Sequence, residues 1–211
     1  LAFLSSALLF AVFLILLILV SQFNAFSSPV IILSSVVLSL AGVFLGIVIS
    51  RNDFVIIMTM IGIISLAGIV VNNAIVLVDY TNLIRKRKRK ELGLGTLDLI
   101  SNEDFKNAVI EGGRTRLRPV LLTAITTILG LFPLASGLNI NFFSLVSDWD
   151  PQIFFGGDNV IFFKPMSLAI IYGLTFATFL TLVVVPIMYY TIYRFKIWLF
   201  NKFNWAVKIE L

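Results

Sequence analysis

Within the apolar run GIVVNNAIVLVDY, from Gly68 to Tyr80, two adjacent carboxamides and an acid are the groups able to do chemistry. Ser65, Asn72 and Asp79 are spaced by seven residues with Gly68 between them, so a helix carries all of them on one face. Asn73 lies about 100° around the helix from Asn72 and faces another neighbour. Downstream, Arg116, Thr123, Thr127 and Gly130 follow i, i+7, i+11 and i+14, again a single stripe. Polar side chains inside a membrane face a bundle interior and mark ion or substrate pathways. Neither stripe has a carboxylate near its middle, and arginine does not give up its proton in a protein. Together they could form a hydrogen-bonding, positively charged wall against which an acid from elsewhere titrates. The plainer reading is packing: interhelical glue at Asn72, worth about 0.6 kcal/mol, and interfacial snorkelling by Asp79 and Arg116.

The elements that must hold these stripes follow from composition. Of 211 residues, 59% are hydrophobic and 13% are charged, about half the charge of an average soluble chain. No charge occurs in Leu1–Ser50, Phe54–Val78, Pro119–Ser147 or Pro165–Tyr193. A spanning helix takes about 20 mostly apolar residues, and the polar stretch SQFNAFSSP from Ser21 to Pro29 divides the first run. Five spans result, at about 3–20, 30–49, 54–79, 119–138 and 166–193. The fold expected is all-α, a polytopic transmembrane helix bundle. The chain opens at Leu1, inside a span and without a basic leader or cleavage site, and is read as a piece of a longer polypeptide. It has no Cys and no His, which excludes a disulfide framework, a thiolate metal site and an imidazole shuttle. No cofactor is expected.

Charge sets the orientation. Ten of the 16 Lys and Arg lie between Arg85 and Arg118, and four more follow the last span. Positive residues mark the cytoplasmic side. Segments 85–118 and 194–211 are therefore expected in the cytoplasm, and the N-terminal end of region 1–84 and the connection 139–165 on the outer side. RKRKRK, from Arg85 to Lys90, directly follows a span and reads as a patch facing anionic headgroups rather than nucleic acid. Ser101 is a plausible cap, and Phe105, Ala108 and Val109 share one face, predicting an amphipathic surface helix that Gly112 and Gly113 end. Pro119 fits the first turn of the fourth span. The aromatic-rich outer connection, with Phe142, Phe143, Trp149, Phe154 and Phe155, is expected as an irregular interfacial cap. Gly42 with Gly46, and Gly173 with Ala177, offer small-residue steps for close helix packing.

At these residues the sequence resembles the resistance–nodulation–division (RND) efflux transporters, most of all the hydrophobe/amphiphile exporter branch of Gram-negative inner membranes. GIVVNNAIVLVDY is similar to that family's tenth-helix motif, RTRLRPVLLTAITTILGLFPLA (Arg114 to Ala135) to its eleventh, and PMSLAIIYGLTFATFLTLVVVPIMYY (Pro165 to Tyr190) to its twelfth. QFNAFSSPVIILSSVVLSLAGVFLG fits the turn between the eighth and ninth helices and the ninth itself. The resemblance implies the eighth to twelfth helices of a parent with about twelve helices in two similar halves. It implies a homotrimer that exports amphiphilic small molecules on proton influx, joined to a periplasmic adaptor and an outer-membrane channel. It also implies a proton relay at Asn72, Asn73, Arg116 and Thr123; Ser65, Asp79 and Thr127, read from the spacing alone, form a secondary polar stripe. Asn72 stands where the family has Lys. Without that cation the partner carboxylates feel less positive charge, and their pKa is expected to be higher.

Other functions compete. A protein-translocation auxiliary of the same superfamily would use similar helices, and a metal-exporting branch uses Met clusters, whereas Met58 and Met60 here are two apart on a helix. Asp148-Trp149-Asp150 matches the DxD of metal-dependent glycosyltransferases, but the charge bias puts it outside, away from nucleotide sugars. The expectation is a transporter and not an enzyme.

Overall fold

The computed structural model describes residues 2–23, 27–93, 100–141, 146–147, 149 and 152–203. Asp148 and Asp150, Phe142 and Phe143, and the tail beyond Phe203 lie outside the described residues. Among the described residues five long helices carry the fold: α1 Ala2–Phe23, α2 Ser27–Ser50, α3 Ile56–Glu91, α4 Asn102–Ser136 and α5 Asp158–Phe203. Each is long and apolar enough to cross a membrane. The protein is a multi-pass helix bundle.

Three of the expected helix ends differ in the structure. Helix α3 continues beyond Asp79 through the basic run, because Arg and Lys are good helix formers and the chain first turns left-handed at Gly93, φ 64°. Its 36 residues rise about 54 Å, against a hydrocarbon layer of about 30 Å. Gly112 and Gly113 do not end the amphipathic segment; α4 runs through both. Glycine costs a helix about 1 kcal/mol relative to alanine, and Gly112 is needed for contact, since a Cβ there would lie 2.7 Å from Thr81 Oγ1 of α3. Pro119 consequently sits inside α4 rather than in a first turn, where it leaves the Thr115 carbonyl without its helical donor. The expected cap is present: Ser101 Oγ accepts from the Glu103 N–H at 3.3 Å. Gly137, φ 77°, ends the helix in a left-handed turn.

The outer connection also differs from an irregular cap. Strand β1, Leu138–Ile140, pairs antiparallel with β2, Ile153–Phe155, with Leu138 opposite Phe155 and Ile140 opposite Ile153. Phe154, Phe155, Phe162 and Phe163 are exposed around it, as suits a headgroup-level belt.

Helix α5 is the hub and packs on α2, α3 and α4, while α1 rests on α2 and α3. Glycines let α5 in. A Cβ at Gly42 would strike Phe176, one at Gly46 Tyr172, and one at Gly62 the Met166 carbonyl and Ala169. In the reverse direction, a Cβ at Gly173 would strike Leu66 and Val43. Leu66, Val43, Ala169, Leu174 and Ala177 are buried around these notches. Outward positions of α1 such as Phe3, Leu9 and Phe10 are exposed, as a lipid-facing helix requires.

At the basic end, aromatic stacking fixes the start of α4. Phe105 is fully buried, lies 3.6 Å from the Tyr193 ring at an interplanar angle of 6°, and stacks at 5.6 Å on Tyr189. Tyr193 donates its hydroxyl to the Ile100 carbonyl at 3.1 Å, and Tyr189 donates to Asn82 Oδ1 of α3.

Two outcomes follow for the full-length protein. Gly173→Leu should destabilise the bundle by about 1–3 kcal/mol through overpacking, measured as a lowered melting temperature in detergent. Phe105→Ala should cost about 3 kcal/mol or more and speed amide exchange across Asn102–Gly112, with exchange in α2 unchanged.

Candidate functional site

The candidate site is the seam between α3 and α4. Asn73 and Tyr80 are one heptad apart on α3, and Thr123 and Arg116 one heptad apart on α4. The helices run antiparallel, so the two spacings match and form two rungs.

The inner rung joins Asn73 to Thr123. Asn73 is buried, and its Oδ1 lies 3.4 Å from Thr123 Oγ1. The threonine hydroxyl has one proton and places it on the Val120 carbonyl at 2.9 Å, so its lone pairs face the carboxamide. Turning the amide so that Nδ2 donates to Oγ1 satisfies both groups. The outer rung joins Tyr80 to Arg116. The guanidinium carbon sits 4.2 Å from the centre of the Tyr80 ring, a cation–π contact worth about 0.5–2 kcal/mol. Arg116 is half-buried, and its Nε is buried with no hydrogen-bond partner among the described residues. A charged donor without an acceptor is costly in this setting. Gly112 continues the same α4 face against Thr81 of α3, which brings the backbones close below Arg116.

Beside the seam, Ser65, Gly68, Asn72 and Asp79 share an exposed face of α3, and a Cβ at Gly68 would meet open space. Asn72 makes no side-chain hydrogen bond, and Asp79 no ion pair with Arg116, among the described residues. Thr127 donates to the Thr123 carbonyl at 2.8 Å and Thr126 to the Leu122 carbonyl at 2.9 Å, both within α4. Gly130, also on this side of α4, faces open space as well.

Of the residues singled out by sequence, the structure therefore brings together Asn73 and Thr123. Arg116 joins the seam through Tyr80, and Asn72 opens onto the adjacent polar face with Ser65 and Asp79. Sequence reasoning passed over Tyr80, although its heptad relation to Asn73 was a usable signal. It also missed Asn82 and Tyr189, a buried polar pair nine residues beyond Asn73. The i, i+4 repeat of Tyr189 and Tyr193 would have pointed there.

Comparison with known proteins places the chain in a family. The model of the AcrB/AcrD/AcrF family matches residues 2–139, which include the whole seam. The chain is 37% identical over 190 residues to the swarming motility protein SwrC of Bacillus subtilis strain 168, a match covering 90% of this chain and 15% of SwrC. It is 32% identical over 129 residues to protein HelA of Legionella pneumophila, covering 61% of this chain and 9% of HelA. Among solved structures, a heavy metal efflux pump superposes with a TM-score of 0.60 at 25% identity, over 86% of this chain and 14% of the pump. The chain thus spans a small part of the length of each of these relatives. From the family match across both polar stripes, the chain belongs to the AcrB/AcrD/AcrF family of RND permeases.

Proposed function

We propose that this chain is the C-terminal membrane part, the eighth to twelfth helices, of a proton-driven RND exporter of hydrophobic or amphiphilic compounds. The observation that carries the reading is Arg116, whose buried Nε lacks an acceptor among the described residues at the edge of an open polar face. A carboxylate supplied by another segment of the parent would satisfy this donor and be held ionised by it. Protonation would neutralise that carboxylate and release it from the guanidinium, leaving Asn73 and Thr123 to hydrogen-bond the neutral form. This is the elementary step of a proton-coupled switch. Asn72 would line the approach without adding charge.

In this reading the parent is a homotrimer in the bacterial inner membrane, joined to a periplasmic adaptor and an outer-membrane channel. The basic ends of α3 and α5 face the cytoplasm, as the positive-inside rule favours, and the first residues of the chain face the periplasm. Export of metal ions is a second reading, favoured by the superposition on a heavy metal efflux pump. Growth of cells carrying the full-length protein, on amphiphiles and on metal salts, separates the two.

Arg116→Ala and Thr123→Ala should each lower export at least about tenfold and about threefold respectively, by loss of a charged and a neutral hydrogen bond. Drug efflux from cells with equal amounts of trimer measures this, and normal efflux by Arg116→Ala would overturn the relay. Asn72→Lys adds a cation beside the partner acid, stabilises its ionised form and lowers its pKa. The pH profile of proton flux in proteoliposomes should therefore move to lower pH; an unchanged profile would place Asn72 away from that acid.

A further inference from the structure

The end of the bundle opposite the basic run contains a cavity of about 510 Å³, between the α2–α3 connection and the first turns of α5. Its volume is in the range of small-molecule sites, about 300–1,000 Å³. Its wall divides by chemistry. Asp53 and Asp158 supply two carboxylates and Lys164 one ammonium, while Val55 and Leu168 supply an apolar side. None of the three charged groups has a hydrogen bond or ion pair among the described residues. Asn52, also in the wall, is fixed: its Nδ2 donates to the Tyr172 hydroxyl at 3.0 Å and to Ser50 Oγ at 2.8 Å. The rim is therefore tied to α5 and the cavity is preformed.

The surroundings place this cavity at a lipid surface. Ile161, Phe162 and Phe163 on the first turns of α5 are exposed, as are Phe154 and Phe155 of β2, and aromatics exposed at the end of a span sit at headgroup level. An occupant must match two acids and one base within one cavity and leave an apolar tail along Val55 and Leu168. A simple cation would leave Lys164 facing it with like charge. An anionic headgroup would meet two carboxylates. A zwitterion satisfies all three groups.

We propose that this cavity binds the phosphoethanolamine headgroup of a membrane phospholipid, with the primary ammonium at Asp53 and Asp158 and the phosphate at Lys164. The primary ammonium donates three hydrogen bonds, which two carboxylates and the Asn52 side can receive. A trimethylammonium head has no such donors, so phosphatidylcholine is disfavoured. Phosphatidylglycerol brings the phosphate without the cation. The assignment stands apart from the proton relay, which lies toward the other end of α3 and α4.

Native mass spectrometry of the delipidated full-length protein, titrated with phosphatidylethanolamine, phosphatidylcholine and phosphatidylglycerol of one chain length, tests this. Phosphatidylethanolamine should bind tightest. The double variant Asp53→Asn with Asp158→Asn should weaken it about tenfold or more and erase its advantage over phosphatidylcholine. Lys164→Gln should weaken both phosphatidylethanolamine and phosphatidylglycerol. The two Asp→Asn changes are isosteric at exposed positions and Lys164 is half-buried, so an unchanged melting temperature of each delipidated variant separates lost binding from lost folding. Equal affinity for the three lipids in the parent protein would overturn the proposal. So would unaltered phosphatidylethanolamine binding in the double variant, or dodecylammonium, which lacks phosphate, binding as tightly and indifferently to Lys164→Gln.

Discussion

Close approach between helices is the constraint on which this bundle depends. In hydrocarbon there is no hydrophobic gain from pressing one apolar helix against another, so contact distance and van der Waals fit decide the association. Gly42, Gly46, Gly62 and Gly173 remove side chains where α5 crosses α2 and α3, and Phe176, Tyr172, Ala169 and Leu66 fill the spaces. This interlocking fixes the rotation of α3 about its axis. With that rotation set, Asn73 and Tyr80 turn to α4, while Asn72 and Asp79 turn to the open side. A rotation of α3 by about 100° would exchange the two asparagines.

The polar groups are arranged accordingly. Most hydroxyls in the spans return their protons to a carbonyl one turn back in their own helix, as at Ser35, Ser39, Thr81, Thr127, Thr178 and Thr181. Such bonds let a helix carry oxygens through lipid at little cost. Arg116 is different because its guanidinium has five donors and no local acceptor geometry. The Tyr80 ring offers it a negative face but no lone pair for Nε. The seam is thus nearly satisfied at Asn73 and Thr123 and incomplete at Arg116, and the incomplete position borders the open face of α3.

Much of this was legible in the sequence. Four uncharged runs, the first divided at Ser21–Pro29, locate the five helices, because length and apolarity are what the bilayer itself selects. Arg116 and Thr123 stood out because a charge and a hydroxyl are rare there. Helix ends were less legible: charge marks where the membrane stops, not where a helix stops, and RKRKRK propagates α3 readily. The glycine pair at Gly112 and Gly113 looked like a terminator, but its contact with Thr81 is visible only once α3 and α4 are together. The choice between Asn72 and Asn73 depends on α5, about a hundred residues away, and no local pattern encodes it. The β1–β2 pair is three residues on each side and has no two-residue Asn-Gly or Asp-Gly turn to announce it.

The continuity of α4 has a mechanical consequence. Phe105, Gly112, Arg116 and Thr123 are spaced by 7, 4 and 7 residues, which returns to almost the same azimuth each time at about 100° per residue. One rod therefore presents a ring clasped by tyrosines at one end and the threonine of the inner rung at the other. Its two ends have no independent swivel apart from the softened turn at Pro119. Any torque applied where Phe105 sits between Tyr189 and Tyr193 is delivered to the guanidinium eleven positions along, like a key turned in a lock.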